Sequence, residues 1–503
     1  MPPAPSLTPD PLKALFLAGR PCVRIVTFEE SEARDRLYAI AADLNITPWL
    51  WSATQGIRCG HVATPPIPDT TNPAAALHYT LLHAKDPTLL ITCDLADHLT
   101  DPLALRALRE LIDHFAIRAG YHNPAHIAMI DHRDDAPPAL AAASARYSIP
   151  FPTDDEIESL VRKTVRELHK QSPIDISLTQ KHVRALIENL RGLTRRQIPL
   201  LIADAVAADR ALNEQDLPNL LRAKREAISL GSTVLDFVDS PASLDDIAGL
   251  NRLKKWLRAR APVFNSSATL PTPRGVLLLG VQGSGKSLAA KAIASAWSRP
   301  LLRLDPGALY DRYVGESERR LREAFRLAEA MAPIVLWIDE VEKGFASAAA
   351  RSVDGGLSQR LFGALLTWMQ EHHAPVFIVA TANDIEALPP ELLRKGRFDE
   401  IFFIDLPTLQ ARANIFSIHL RKRALDPNAF DLATLADASQ GFSGAEIEQA
   451  VLSSLHEAHA DNKPLDTARI LHTLSESPPL SVTMAESVNE LRRWAQGRTL
   501  PAD

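Results

Sequence analysis

The stretch Arg274–Ala290, RGVLLLGVQGSGKSLAA, constrains this chain more than any other. Val276 to Leu279 is an apolar run that reads as a buried strand. Gly280-Val281-Gln282-Gly283-Ser284-Gly285-Lys286-Ser287 then fits G-x-x-x-x-G-K-[ST] at every fixed position. From Leu288 to Trp297 the composition is helical. Strand, glycine loop and helix together make a unit whose loop N–H groups can turn inward on phosphate oxygens. The helix N-terminus adds partial positive charge. Lys286 is placed to reach β- and γ-phosphates, and Ser287 to ligate Mg²⁺. Gly280 to Leu288 are therefore the expected lining of a nucleotide site.

A chain of 503 residues has room for two to four domains, and 46% apolar residues support sizeable cores. The net charge of −6 is small for this length, so no nucleic-acid partner is expected. Cys22, Cys59 and Cys93 are far apart and form no CxxC pair, which suggests neither zinc nor a disulfide framework. That usage fits a reducing compartment, and a cytoplasmic location is expected. No apolar run approaches a membrane span. The opening MPPAPSLTPDP lacks the regions of a signal peptide and reads, over residues 1–20, as a disordered tail.

From Cys22 onward, apolar runs alternate with helix-like stretches. Strands are predicted at Cys22–Phe28, Pro48–Trp51, Thr88–Cys93 and Ile127–Ile130, with helices at Glu29–Leu44, Ala74–Ala84 and Leu103–Ala116. This grammar implies a parallel sheet covered by helices. Helices follow at Asp154–Lys170, His182–Leu190, Arg195–Ala208 and Leu217–Ile228. After Gly231 the grammar restarts. Strands are predicted at Val276–Leu279, Pro300–Leu304, Ile334–Ile338, Val376–Thr381 and Ile401–Ile404, and the chain is helical again from Leu409. The expected organisation is an α/β module over 21–170, a helical lid-like segment over 171–235, a larger α/β part over 236–408, a helical lid over 409–475 and a C-terminal segment over 476–503.

Two halves of similar grammar suggest an internal repeat, the alternative being two unrelated α/β modules. PTLLITCDLAD (87–97) parallels PIVLWIDEVEK (333–343), and LRGLTRRQIPLLIADAV (190–206) parallels SQGFSGAEIEQAVLSSL (439–455). The first copy lacks the phosphate loop. Thr27-Phe28-Glu29-Glu30-Ser31 has no glycine cradle and no lysine, and its two carboxylates would repel a triphosphate.

In the second half, the strand Ile334–Ile338 ends in Asp339-Glu340. Asp339 is placed to hold Mg²⁺ and Glu340 to polarise an attacking water. Asn383 ends the next strand and can orient that water, although a strand-end Asn is also a common turn residue. Arg394 and Arg397, in LLRKGRFDE, read either as a solvated basic loop or as arginine fingers.

In order and spacing these elements resemble the AAA ATPases. Asp246-Ile247-Ala248-Gly249-Leu250 is similar to that family's adenine-side turn, with Ala248 where glycine is usual. Gly441-Phe442-Ser443-Gly444-Ala445-Glu446 resembles its lid turn, which would bring Gly444 and Ala445 onto the nucleotide. The resemblance covers about residues 240 to 460. PLLRLD, LWIDEVEK, LTWMQE and PPELLRKGRFDEIFF look closest to the two-module AAA proteins of plastids and bacteria known from a hypothetical chloroplast reading frame. It implies an α/β fold: a P-loop parallel sheet with a C-terminal helical lid, preceded by a degenerate AAA-like α/β module with a helical appendage. It also implies ATP and Mg²⁺ as cofactors. A ring homo-oligomer, usually a hexamer, follows, with Arg394 and Arg397 serving the neighbouring nucleotide. Tyr313-Val314-Gly315 matches the pore loop that grips an extended polypeptide, whereas Tyr313 on its own could simply pack on the next helix.

The expected function is ATP hydrolysis used to remodel a protein partner. An ATP-controlled assembly factor or switch without threading is the alternative. The near-neutral charge argues against a clamp loader or helicase. His456-Glu457-Ala458-His459 has the wrong spacing for a zinc protease.

Overall fold

The computed structural model describes residues 10–27, 29–60, 64–118, 124–132, 137–207, 209–231, 234–238, 243–265, 270–309, 316–343, 357–385, 387–394 and 396–503. The chain divides into two compact units. The first comprises Met1–Pro152 and Thr194–Leu200, the second Thr153–Leu193 and Leu201–Asp503. The helix Asp154–Gln171, read from the sequence with the first module, thus falls in the second unit.

The first unit is built on six strands: β1 (Cys22–Val26), β2 (Thr47–Ser52), β3 (Gly56–Cys59), β4 (Thr88–Cys93), β5 (Ala125–Asp131) and β6 (Ala145–Tyr147). Their order across the sheet is β3-β2-β4-β5-β1-β6. Every pairing is parallel except β2 with β3. Every residue of β4 and β5 is buried, as a parallel strand covered on both faces requires. One apolar cluster, with Leu108 and Phe115, fills one face, and another, with Leu37 and Ile40, fills the other. The hairpin strand β3 is not apparent from the sequence. It is four residues long and turns at Gly56, whose φ is +68°.

In the second unit a short parallel pair, β7 (Asp175–Ile176) with β8 (Ala211–Leu212), lies within the mainly helical segment. The main sheet has seven strands: β9 (Leu235–Val238), β10 (Gly275–Gly280), β11 (Leu301–Leu304), β12 (Ile334–Ile338), β13 (Val376–Ala382), β14 (Glu400–Ile404) and β15 (Leu500–Pro501). They lie in the order β15-β14-β10-β13-β12-β11-β9. Only β9 runs antiparallel to its neighbour. Helices Leu409–Lys422, Leu432–Ala438, Gly444–Ala460 and Thr467–Glu476 share a separate apolar core that includes Phe416, Leu435, Ile447 and Ile470. The helix Gly444–Ala460 is started by a reciprocal cap between Ser443 and Glu446.

The two sheets share one topology. In the first, the parallel strands β1, β2, β4, β5 and β6 lie in the order β2-β4-β5-β1-β6. In the second, β10 to β14 lie in the order β11-β12-β13-β10-β14. Ranked by chain position, both read second, third, fourth, first, fifth. In both, an antiparallel strand covers the outer edge of the second-ranked strand, β3 beside β2 and β9 beside β11.

This order decides where chemistry can occur. Register pairs Leu279 with Ala382 and Ile338 with Ala380, so β10, β13 and β12 end side by side. The loops leaving their carboxyl ends open into one crevice, the usual ligand position of such sheets.

Candidate functional site

β10 ends in the loop Val281–Gly285, and helix Lys286–Ala296 begins at once. Gly283 has φ +73°, and a Cβ there would meet Ser443 Oγ at 3.0 Å and Ala445 Cβ at 3.1 Å. The loop therefore requires glycine both for its backbone and for the close approach of the lid turn. The amide of Ala445 donates to Gly283 O at 3.1 Å. Lys286 is buried at the start of the helix and donates from Nζ to Gly280 O and Val281 O, both at 2.8 Å. Burial lowers its pKa to about 8, and the carboxylates of Glu342, Asp339 and Glu340 oppose that fall.

Opposite the loop, the ends of β12 and β13 carry a connected set of polar groups. Ser287 Oγ donates to Asp339 Oδ1 at 3.3 Å, and Thr381 Oγ1 donates to the same oxygen at 2.6 Å. The amide of Glu340 donates to Thr381 Oγ1 at 3.0 Å. Asn383 Nδ2 donates to Glu340 Oε1 at 3.1 Å, while Lys343 Nζ lies 2.7 Å from Glu340 Oε2. Glu340 has φ +48°, a left-handed conformation rare outside glycine. Glu342 is buried and accepts from the amide of Asn383 at 2.9 Å. Burial raises its carboxyl pKa, and the Asn383 hydrogen bond partly offsets the rise.

These groups line a cavity of about 420 Å³. Asp246, Ile247 and Ala248 form one wall, and Gly444, Ala445, Ile415, His419 and Glu448 another. Asp246 closes a reciprocal cap with Ser243, whose amide donates to Asp246 Oδ2 at 2.6 Å, and Lys254 Nζ donates to Ile247 O at 2.5 Å. His419 Nδ1 lies 3.3 Å from Glu448 Oε1, which also accepts from Arg423 at 3.3 Å. Burial lowers the His419 pKa against the pull of Glu448.

Asp246, Ile247, Gln282 to Leu288, Asp339, Glu340, Asn383, Gly444 and Ala445 thus share one cavity. Gly280 and Val281 do not line it; their carbonyls hold Lys286. Arg394 and Arg397 do not line it. Arg394 is exposed, and Arg397 is tied to helix Leu357–Glu371 through Leu366 O at 3.1 Å and Gln370 Oε1 at 2.7 Å. Tyr313, Val314 and Gly315 lie outside the described residues, as does the loop 344–356. Thr381, Glu342, His419 and Glu448 are not singled out by the sequence. For Thr381 there is no local signal: its place, one residue beyond the partner of Ile338, comes only from the register of β12 on β13.

At the corresponding place in the first unit there is no glycine loop. Helix Glu30–Asp43 follows β1 almost directly. Glu29 Oε1 accepts from the amide of Arg196 at 3.3 Å, and Arg195 Nε lies 3.5 Å from Glu32 Oε1. A charged side chain thus stands where, in the second unit, the backbone of Gly283 meets the turn before the lid helix.

A crevice of this order, with a glycine loop, a strand-end Asp-Glu pair and a helical lid, defines a P-loop ATPase of the AAA class. Residues 276–406 match the model of the ATPase family associated with various cellular activities (AAA). Residues 8–148 and 155–230 match the N-terminal and second domains of SpoVK-like AAA ATPases. The chain belongs to the AAA ATPase family and is an ATP-hydrolysing enzyme. It is similar over 96% of its length to the AAA domain-containing protein ycf46 of Guillardia theta, at 35% identity and across 94% of that protein. The ycf46 protein of Pyropia yezoensis is 38% identical over 84% of this chain and 85% of its own. The proteasome-activating nucleotidase of Archaeoglobus fulgidus is 32% identical over 54% of this chain and 71% of its own. Among the described residues, no helix is long and apolar enough to cross a membrane.

Proposed function

We propose that this protein hydrolyses ATP between subunits of a ring and uses the cycle to remodel a protein partner. The observation that carries the reading is the hydrogen-bonded set Ser287, Asp339, Thr381, Glu340 and Asn383 facing the phosphate loop, while Arg394 and Arg397 stay off their own cavity. In this reading residues 280–288 cradle the triphosphate, with Lys286 on its β- and γ-phosphates. Asp246 and Ile247 border the base, and Gly444 and Ala445 close over it. Glu340 takes up the proton side of the attacking water, and Asn383 fixes its position.

A serine hydroxyl and one carboxylate on facing elements are a donor set suited to Mg²⁺, which keeps several waters and takes phosphate oxygens. Ser287 and Asp339, 3.3 Å apart, would hold it. When bound, Mg²⁺ supplies neutralisation of phosphate charge. Arg394 and Arg397, exposed or anchored away from the cavity, would act on the neighbour's nucleotide. Turnover would then require assembly, with a hexameric ring the preferred form and the cytoplasm its expected place.

Similarity to a proteasome-activating nucleotidase supports a protein as the load. The shared sheet order supports the first unit as a diverged copy in which charged side chains replace the phosphate loop.

The test is specific activity against protein concentration, with the size of the Glu340→Gln variant measured in ATP and in ADP. Activity rising with concentration, and a larger ATP-bound assembly, are expected. Full-speed hydrolysis by a strictly monomeric enzyme overturns the intersubunit reading. Unchanged partner-dependent activity in Tyr313→Ala would favour the switch over threading.

A further inference from the structure

The segment 477–503 does not line the ATP crevice, yet it is bonded to the turns that form two of its walls. Near its start, the amide of Ser481 donates to Gly441 O at 3.3 Å. Gly441 has φ +84°, and a Cβ there would collide with Ser481 Oγ. Gly441 opens the lid turn whose Gly444 and Ala445 line the cavity. Further on, Arg492 Nε donates to both carboxylate oxygens of Asp405, at 3.0 and 2.9 Å, just beyond the end of β14. The segment then joins the sheet as β15, with Leu500 opposite Phe402 and Pro501 opposite Phe403.

Ala502 and Asp503 fix the start of helix Asn251–Asn265. Ala502 is buried in the same apolar cluster as Ile247, Leu250 and Leu253. Its carbonyl accepts from the amide of Leu253 at 3.0 Å. Asp503 Oδ1 accepts from the amide of Asn251 at 3.2 Å and from Asn251 Nδ2 at 2.8 Å. The first amides of a helix have no partner within it, and a carboxylate beside them is favoured by the helix dipole. The two residues before this helix are both left-handed, Gly249 at φ +66° and Leu250 at φ +55°. For leucine that backbone is costly and persists only where contacts hold it. A Cβ on Gly249 would stand 3.0 Å from Asp503 Oδ2, so the glycine also makes room for the carboxylate. Directly upstream, Asp246, Ile247 and Ala248 line the ATP cavity, and Lys254 of the same helix holds Ile247 O.

We propose that Asp503 is a positioning residue for the nucleotide base: by fixing Asn251 it sets where residues 246–248 stand, and segment 477–503 ties that turn to the lid turn. This rests on the reading that Asp246 and Ile247 border the base. Without the Asp503 carboxylate the helix start loses two hydrogen bonds, and the left-handed pair loses a contact that holds it. The turn must then be ordered when nucleotide binds, and that ordering is taken from the affinity. Asp503 has no contact with Asp339 or Glu340, so hydrolysis of bound ATP does not depend on it.

In the full chain, Asp503→Ala is expected to raise KM for ATP by roughly five-fold, the size of a lost helix cap, with kcat within about two-fold of wild type. Calorimetry with ADP should show the same loss of affinity. Asp503→Asn keeps an accepting oxygen against Asn251 and should restore most of it. In the wild type, ADP should slow hydrogen exchange at the Asn251 and Leu253 amides, because coupling between two sites is reciprocal. That measurement needs no variant to fold. Wild-type KM in a folded Asp503→Ala protein overturns the proposal, as does a fall in kcat as large as the rise in KM. No recovery in Asp503→Asn, or unchanged exchange at the two amides, also overturns it. Ile247→Ala tests the reading beneath it. Loss of ADP affinity there with none in Asp503→Ala removes the proposal alone, whereas no loss in either variant removes both.

Discussion

Thr381 donates its hydroxyl proton to Asp339 Oδ1 at 2.6 Å, and the oxygen of that hydroxyl accepts from the amide of Glu340 at 3.0 Å. One hydroxyl on β13 thus holds two consecutive acidic residues at the end of β12. Glu340 needs that hold, because its φ of +48° is a conformation that surrounding contacts must maintain. Ser287, from across the crevice, reaches the same carboxylate oxygen of Asp339 at 3.3 Å.

Thr381→Val keeps the β-branched shape that suits a central strand and removes both hydrogen bonds. It is expected to lower kcat by roughly 10- to 100-fold, the usual effect of losing a group that orients a metal or catalytic ligand. ATP affinity, measured with a fluorescent nucleotide analogue, should change far less. A Thr381→Val variant with wild-type turnover would show that Asp339 and Glu340 are positioned by something else.

The phosphate-loop lysine gives a pH dependence with a defined sign. The pKa of Lys286 is lowered to about 8, chiefly by burial. Only the ammonium form attracts phosphate, so the binding-competent fraction of the nucleotide-free protein falls as pH rises through 8. ATP affinity should therefore weaken by roughly ten-fold between pH 7 and pH 9, about one decade for a group titrating midway. Lys286→Met should bind far more weakly and without this dependence. Equal wild-type affinity at both pH values would place the Lys286 pKa well above 8.

Arg394 and Arg397 lie off their own cavity, which makes mixed assemblies informative. Lys286→Ala protomers should be inactive, and so should protomers lacking both arginines. In the mixture, an intact phosphate loop on one protomer can meet intact arginines on the next. Phosphate release should then reappear at a fraction of the wild-type rate, rising and falling with the mixing ratio. A mixture as inactive as its components would count against action in trans.

Where sequence and structure agree, the agreement comes from residues adjacent in the chain. The stretch 280–288 is continuous, and Asp339-Glu340 and Asn383 each directly follow a fully buried strand. Their meeting in one crevice follows from strand order, which apolar runs do not encode. Thr381 is hidden because it reads as one more β-branched strand residue. It acquires its role only when Ile338 pairs with Ala380. His419 and Glu448 stand on two different lid helices and carry no local pattern. The strands β9 and β15, of four and two residues, are edge additions defined by their partners, β11 and β14, rather than by their own periodicity. Arg394 and Arg397 are legible as a motif, but their place away from the cavity comes only from the fold.

Lys224, only 2% exposed, offers a thermodynamic check on the cost of burying an amine. Its folded pKa of about 7 lies below its ordinary value of 10.5. Between those values the unfolded chain keeps the proton that the folded chain has released. Unfolding takes up a proton there, so stability rises with pH across that window and the penalty is complete below it. Lys224→Met removes this one titration and leaves the others in place. The wild type should therefore gain on the variant by about 1.4 kcal/mol per pH unit between pH 7.5 and 9.5. Hydrogen exchange of amides in helix Asp216–Gly231, corrected for intrinsic rates, measures this locally and needs no single unfolding transition for the whole chain. A constant difference across that range would mean that Lys224 stays charged in the folded protein.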